Sequence, residues 1–350
     1  MKNNINIIQV KNTMFLFLLI LFIWFCLALT KHTKEIGAFS IEQTLPLRGL
    51  LALGIVLHHI SQRVIQVAPD ILGISQFVFI GPPIVAVFFF LSGYGLMKSL
   101  QIKGISYLNG FLKKRMLKVA LPFVLCSLVY SVVSINILGG HFVNLKVDWP
   151  FLPNAWFCIT IIIYYFAFYF IAICSKSKFR QLAIWMWLFT LLYIVCLKFL
   201  NFENWWFQSV ISINMGMTIA LVEYPLRKLL VRYYGLLASV LFLFVCLSSF
   251  CVSFGYYCSF PCGWLGLSFL IGFFTYVLLC RYSLPVKRAI SFLGKYSYEI
   301  YLIQGAIINV VFGKAYTYVY NWWIPMMILA LFSIFFFAFI LKKVMSIILV

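Results

Sequence analysis

Apolar runs long enough to cross a bilayer recur from one end of the chain to the other, and polar residues collect in the breaks between them. A membrane helix needs about 20 mostly apolar residues. By that measure the spans fall near 14–30, 46–65, 79–97, 117–138, 155–174, 182–199, 208–222, 233–254, 262–280, 296–313 and 323–341. The pattern predicts an all-α polytopic membrane protein with about 10–11 transmembrane helices and no soluble domain. No fixed-period repeat or low-complexity tract interrupts it. The first run also resembles a signal peptide, but no A-x-A cleavage pattern follows, so a retained helix is expected.

The cations set an orientation. The loops holding Lys31 to Lys34, Lys98 to Lys118, Lys176 to Arg180, Arg227 to Arg232, Arg281 to Arg288, and Lys342 with Lys343 together carry 19 Lys and Arg, against 6 in the intervening loops. Positive residues remain cytoplasmic, which predicts an outer N-terminus and a cytoplasmic C-terminus. Composition agrees: 65% of residues are hydrophobic and 10% charged. The net charge of +20 does not point to nucleic acid, because the cations are dispersed in short clusters and form no continuous basic face. Among the ten cysteines no C-x-x-C pair occurs. Cys258 and Cys262 flank Pro261 in a turn that continues into Gly263, and are the pair placed to bridge if that turn faces an oxidising compartment. No metal site is expected.

One stretch breaks the apolar monotony. Leu45–Gln66 reads LPLRGLLALGIVLHHISQRVIQ and carries Arg48, His58 and His59 in a helix-length run. At about 100° and 1.5 Å per residue, Arg48 and His59 share one face within about 20° and lie about 16 Å apart. His58 points about 80° from Arg48. A cation and an imidazole on one stripe of a membrane helix are costly against lipid and mark a protein-lined or wet passage. With the predicted orientation, Arg48 lies near the cytoplasmic interface and His59 past the midplane.

The spacing of Arg48 and His59 resembles the signature of the membrane-bound acyltransferase-3 family, bacterial enzymes that mostly O-acetylate glycans. Four further segments are similar in order: FFFLSGYGLM at 88–97, FLKKRMLKVALPF at 111–123, NAWFCITIIIYYFAFYF at 154–170 and FLGKYSYEIYLIQGAII at 292–308. The resemblance implies an extra N-terminal helix and cytoplasmic loop over 1–43, followed by an acyltransferase-3-like membrane domain over 44–350. The basic segment often reads Arg-x-x-Arg in that family, and here it is Arg115 and Lys118; lysine keeps the charge but loses the bidentate fork. The late segment commonly has a histidine where this chain has Gln304, so a proton-transfer role there is lost.

The expected chemistry is transfer of an acetyl or similar small acyl group from cytoplasmic acyl-coenzyme A to a glycan hydroxyl. A base must take the hydroxyl proton, and histidine titrates near neutrality. His59 is the expected base, with Glu299 as a second catalytic candidate. Arg48, Arg115 and Lys118 are the expected donor-binding cations. His58, Ser92, Tyr94, Asn154, Trp156, Tyr298 and Gln304 are acceptor-binding or supporting candidates. Each has a structural alternative: Ser92-Gly93 as close helix packing, Trp156 as an interfacial anchor, Glu299 as a local pair with Lys295. Acetyl-coenzyme A enters as a substrate, with no permanently bound cofactor. The expected partners are a glycan or lipid-linked glycan and membrane lipid, in the bacterial cytoplasmic membrane. A glycan or solute transporter is the rival reading, since ionisable residues also mark translocation routes.

Overall fold

A computed structural model describes residues 15, 17–29, 40–67, 74–137, 152–176, 178–253, 263–281, 287–312 and 316–349. The loop with Lys31 and Lys34 and the pair Cys258 and Cys262 lie outside them. The described residues form the helices α1 (Phe17–Leu29), α2 (Ile41–Val67), α3 (Gly81–Lys103), α4 (Phe111–Arg115), α5 (Leu121–Ile137), α6 (Trp156–Cys174), α7 (Phe179–Phe199), α8 (Ile211–Leu221), α9 (Glu223–Ser253), α10 (Trp264–Arg281), α11 (Lys287–Lys295), α12 (Ser297–Phe312) and α13 (Tyr316–Ile348). Among the described residues, eight segments are long and apolar enough to cross a membrane, α4 and α5 together making one of them. Each expected span coincides with helix, although α1, α8 and α12 are shorter as described. The fold is therefore an all-α polytopic membrane protein.

Helices also run beyond the apolar segments. Arg227, Lys228 and Arg232, expected in a loop, occupy the first turns of α9, which bends at Tyr233 (φ −127°, ψ 31°). A helical backbone satisfies its own hydrogen bonds, so it crosses from lipid to polar surroundings without penalty. The stretch after Arg281 holds a further element, α11, whose sequence KRAISFLGK is charged at both ends and apolar between.

The core sits around α3 and α10, the most enclosed of the spanning helices. Small residues let backbones meet, because helices in lipid associate by van der Waals packing more than by water exclusion. A Cβ on Gly93 would lie 1.8 Å from the Ile213 carbonyl oxygen of α8, and one on Gly216 would lie 2.1 Å from that of Phe90. Gly49 of α2 and Gly294 of α11 make the same exchange with Ile290 and Leu45. That second contact fixes the end of α2 that carries Arg48. The outer faces of α7, α9 and α13 expose Leu191, Leu192, Leu243, Phe244, Phe332 and Phe336, as a lipid-facing surface requires.

Candidate functional site

Arg48 and His59 belong to one continuous helix, α2, and both are half-buried. They look towards the same neighbour. At one end the Arg48 guanidinium lies within electrostatic range of Tyr165 on α6 and of Arg115. At the other, His59 Nδ1 lies 3.5 Å from Asn154 Nδ2 in the turn that opens α6. Eleven residues separate Arg48 from His59, and eleven separate Asn154 from Tyr165. The α6 segment thus runs opposite to α2, with matched polar residues at both ends of the shared stretch.

At the His59 end the imidazole is oriented by its own helix. His59 Nδ1 lies 3.0 Å from Gln62 Oε1, which accepts from the tautomer protonated at Nδ1. Nε2 is then left with a free lone pair, the form a general base requires. Asn154 is held in a left-handed conformation (φ 60°), which an asparagine tolerates better than most residues. Two contacts from α12 keep it there: Tyr301 Oη donates to the Asn154 carbonyl, and Gly305 packs on Pro153, where a Cβ would lie 2.9 Å from the proline ring.

His58 is a different case. It is buried, and its Nδ1 donates to the Phe77 carbonyl at 3.1 Å. Gly81, the first residue of α3, abuts its Nε2, leaving 2.5 Å for any added Cβ. His58 therefore ties α2 to the turn before α3, while its ring sits 4.7 Å from that of His59.

At the Arg48 end the basic segment divides. Lys113, Lys114 and Lys118 are exposed, whereas Arg115 turns inward. Arg115 donates to Tyr107 Oη at 2.9 Å and lies over the rings of Phe111 (5.3 Å) and Tyr165 (4.9 Å). Tyr165 is buried within range of both guanidinium groups. Neither guanidinium has a carboxylate partner among the described residues, an arrangement suited to an anionic ligand. A π-turn at Met116–Ala120 follows Arg115 directly. Tyr298 Oη donates to the Val119 carbonyl inside it at 2.6 Å, satisfying a group that a π-turn displaces.

The remaining candidates are dispersed. Glu299, the second catalytic candidate, pairs with Lys342 of α13 at 3.5 Å, and not with Lys295, its local alternative. Ser92 Oγ donates back to the Phe88 carbonyl, and neighbouring Gly93 serves the α8 contact. Tyr94 donates to Glu223 at 2.9 Å, in a separate polar cluster with Lys98 and Arg227. Trp156 packs near Phe89 and Phe157, with ring centres 6.4 and 6.3 Å away. Gln304 is fully buried, and neither end of its amide finds a partner among the described residues. Gln62, Tyr165 and Tyr301 join the candidate site, and the motifs did not single them out. For Gln62 and Tyr165 a signal existed, one turn after His59 and eleven residues after Asn154.

A polytopic membrane protein with a cation pair and an oriented imidazole along one helix pair defines a class. The acyltransferase-3 family model, described as an acyltransferase domain, matches residues 47–343. The chain belongs to this family and is a membrane acyltransferase. The search of curated proteins and the search of solved structures each give no match.

Proposed function

We propose that the protein is an O-acyltransferase that moves an acetyl or similarly small acyl group from acyl-coenzyme A to a hydroxyl of a cell-surface or secreted glycan. The observation that carries this reading is the shared α2–α6 stretch, with cations at one end and a base-competent imidazole at the other. Arg48 and Arg115 receive the phosphates of the donor, and the thin pantetheine arm lies along the stretch with its thioester towards His59. His59 Nε2 accepts the acceptor's hydroxyl proton as its oxygen attacks the thioester carbonyl. The new C–O bond forms, the C–S bond breaks, and the departing thiolate takes the proton from His59. Asn154 faces the same imidazole and is placed to hold the acceptor. The donor approaches from the cytoplasm and the acceptor from the outer side of a bacterial cytoplasmic membrane, with the N-terminus outside.

The test uses the full chain in lipid nanodiscs with radiolabelled acetyl-coenzyme A. The expected result is thioester consumption that His59→Ala removes while the protein stays folded. It is joined by mass spectrometry of surface glycans from cells with and without the protein, where loss of O-acetyl groups is expected. No thioester consumption by the wild type would overturn the reading in favour of a transporter, and turnover undiminished in His59→Ala would remove the imidazole from the reaction.

A further inference from the structure

One turn beyond His59, Arg63 extends the polar face of α2 away from Arg48. Its guanidinium donates to Asn309 Oδ1 of α12 at 2.6 Å, and Asn309 Nδ2 in turn donates to Tyr130 Oη of α5 at 2.9 Å. Three helices thus converge to aim one cation, and the chain that aims it is neutral throughout. Arg63 and Gln62 are exposed and His59 partly so, whereas His58 beside them is buried. The His59 end is therefore the open one. Among the described residues no carboxylate pairs with Arg63. A guanidinium that merely reached for lipid headgroups would not need an amide and a phenol to fix its direction. Arg63 stands four residues, about one helical turn, beyond His59 on the same helix. Positive charge there repels the imidazolium formed during proton transfer, and an acceptor that brings an anion offsets the repulsion.

We infer that Arg63, Asn309 and Tyr130 form an anion subsite for the acceptor, so the acylated sugar carries a carboxylate or phosphate about one helical turn from the reacting hydroxyl. This rests on the acyl-transfer reading and adds the acceptor class to it. A planar guanidinium takes either group through two parallel hydrogen bonds. The carboxylate would belong to the sugar ring, and the phosphate to a lipid-carrier linkage at the anomeric carbon.

The experiment measures label transfer from acetyl-coenzyme A in nanodiscs of neutral phosphatidylcholine, to methyl glucoside, methyl glucuronide and glucose 1-phosphate at equal concentrations. At least one charged sugar is expected to react about tenfold faster than the neutral one, the worth of a charge-assisted pair. Which of the two does so assigns the anion to ring or carrier. Arg63→Gln should bring the charged-to-neutral ratio to about one, and Arg63→Lys should leave it intermediate. Equal rates for all three sugars, zero included, overturn the subsite, as does a ratio that survives Arg63→Gln; the guanidinium is then a headgroup anchor. Absence of any His59-dependent thioester consumption sinks the acyl-transfer reading itself and is a separate outcome.

Discussion

Two polar regions of this molecule draw on the same residue types and close them differently. Around Glu223 every charge meets its opposite: the carboxylate pairs with Lys98 and Arg227, both at 2.5 Å, and accepts a hydrogen bond from Tyr94 at 2.9 Å. Around Arg48, Arg115 and His59 the partners are phenols, aromatic faces and amides, none of which cancels a charge. Charge within a membrane is tolerated when it is paired or used. The first region is paired and ties α3 to the start of α9. The second is left open along α2, where a ligand can complete it.

If that contrast holds, substitutions in the open region alter chemistry and those in the closed region alter stability. The largest effect is expected from His59→Ala. General-base catalysis is worth about 10²–10⁴-fold, so transfer should fall by about 10³-fold while the melting midpoint stays near that of wild type. His58→Ala should do the reverse, lowering the melting midpoint by unlinking α2 from Phe77. A His58 variant that loses activity at full stability would break the division between the two histidines.

Glu223→Gln probes the closed region. It leaves Lys98 and Arg227 beside a neutral amide, and removing one partner of a buried ion pair costs about 3–5 kcal/mol. Both cations are about a third exposed, at 39% and 32%, so water softens the loss to roughly half that. The melting midpoint in detergent should drop clearly, with transfer per folded molecule unaltered. Loss of turnover without loss of stability would place Glu223 in the site and erase the contrast.

Arg48→Ala and Arg115→Ala should weaken donor use by about tenfold each, seen as a raised KM for acetyl-coenzyme A with kcat less affected. The corresponding Lys118→Ala change should be smaller, because that side chain is exposed. Equal effects from Arg115 and Lys118 would show that the basic segment acts as a diffuse field and not through one inward arginine.

How far the sequence revealed this division depends on the range of each interaction. The face shared by Arg48 and His59 was readable because helical spacing is local and survives into the fold. The spans were readable for the same reason. The role of Tyr94 was not, since its partner Glu223 lies on α9 and nothing in the Phe-rich segment points there. Glu299 looked local, four residues from Lys295, yet pairs with Lys342 on a different helix. The interruption of the basic segment by a π-turn, which separates Arg115 from Lys118, has no signal in spacing, because regular helical counting assumes it away.

The smallest expected effect tests how the open region is held. Tyr301 touches none of the reacting groups in the proposed reaction; its hydroxyl donates to the Asn154 carbonyl and so keeps a residue of positive φ facing His59. Tyr301→Phe keeps the ring packed on Phe157, whose centre lies 5.1 Å away, and removes only that bond. A single neutral hydrogen bond is worth about 1 kcal/mol, so transfer should fall about fivefold. The loss should appear in kcat and in the acceptor KM, with the donor KM unmoved, because in the proposed reaction Asn154 holds the acceptor. A purely structural tyrosine would instead lower the melting midpoint and leave both constants per folded molecule as they were. Asn154→Gly separates the two further: glycine accepts the backbone conformation without strain, so any activity lost there is the amide's own.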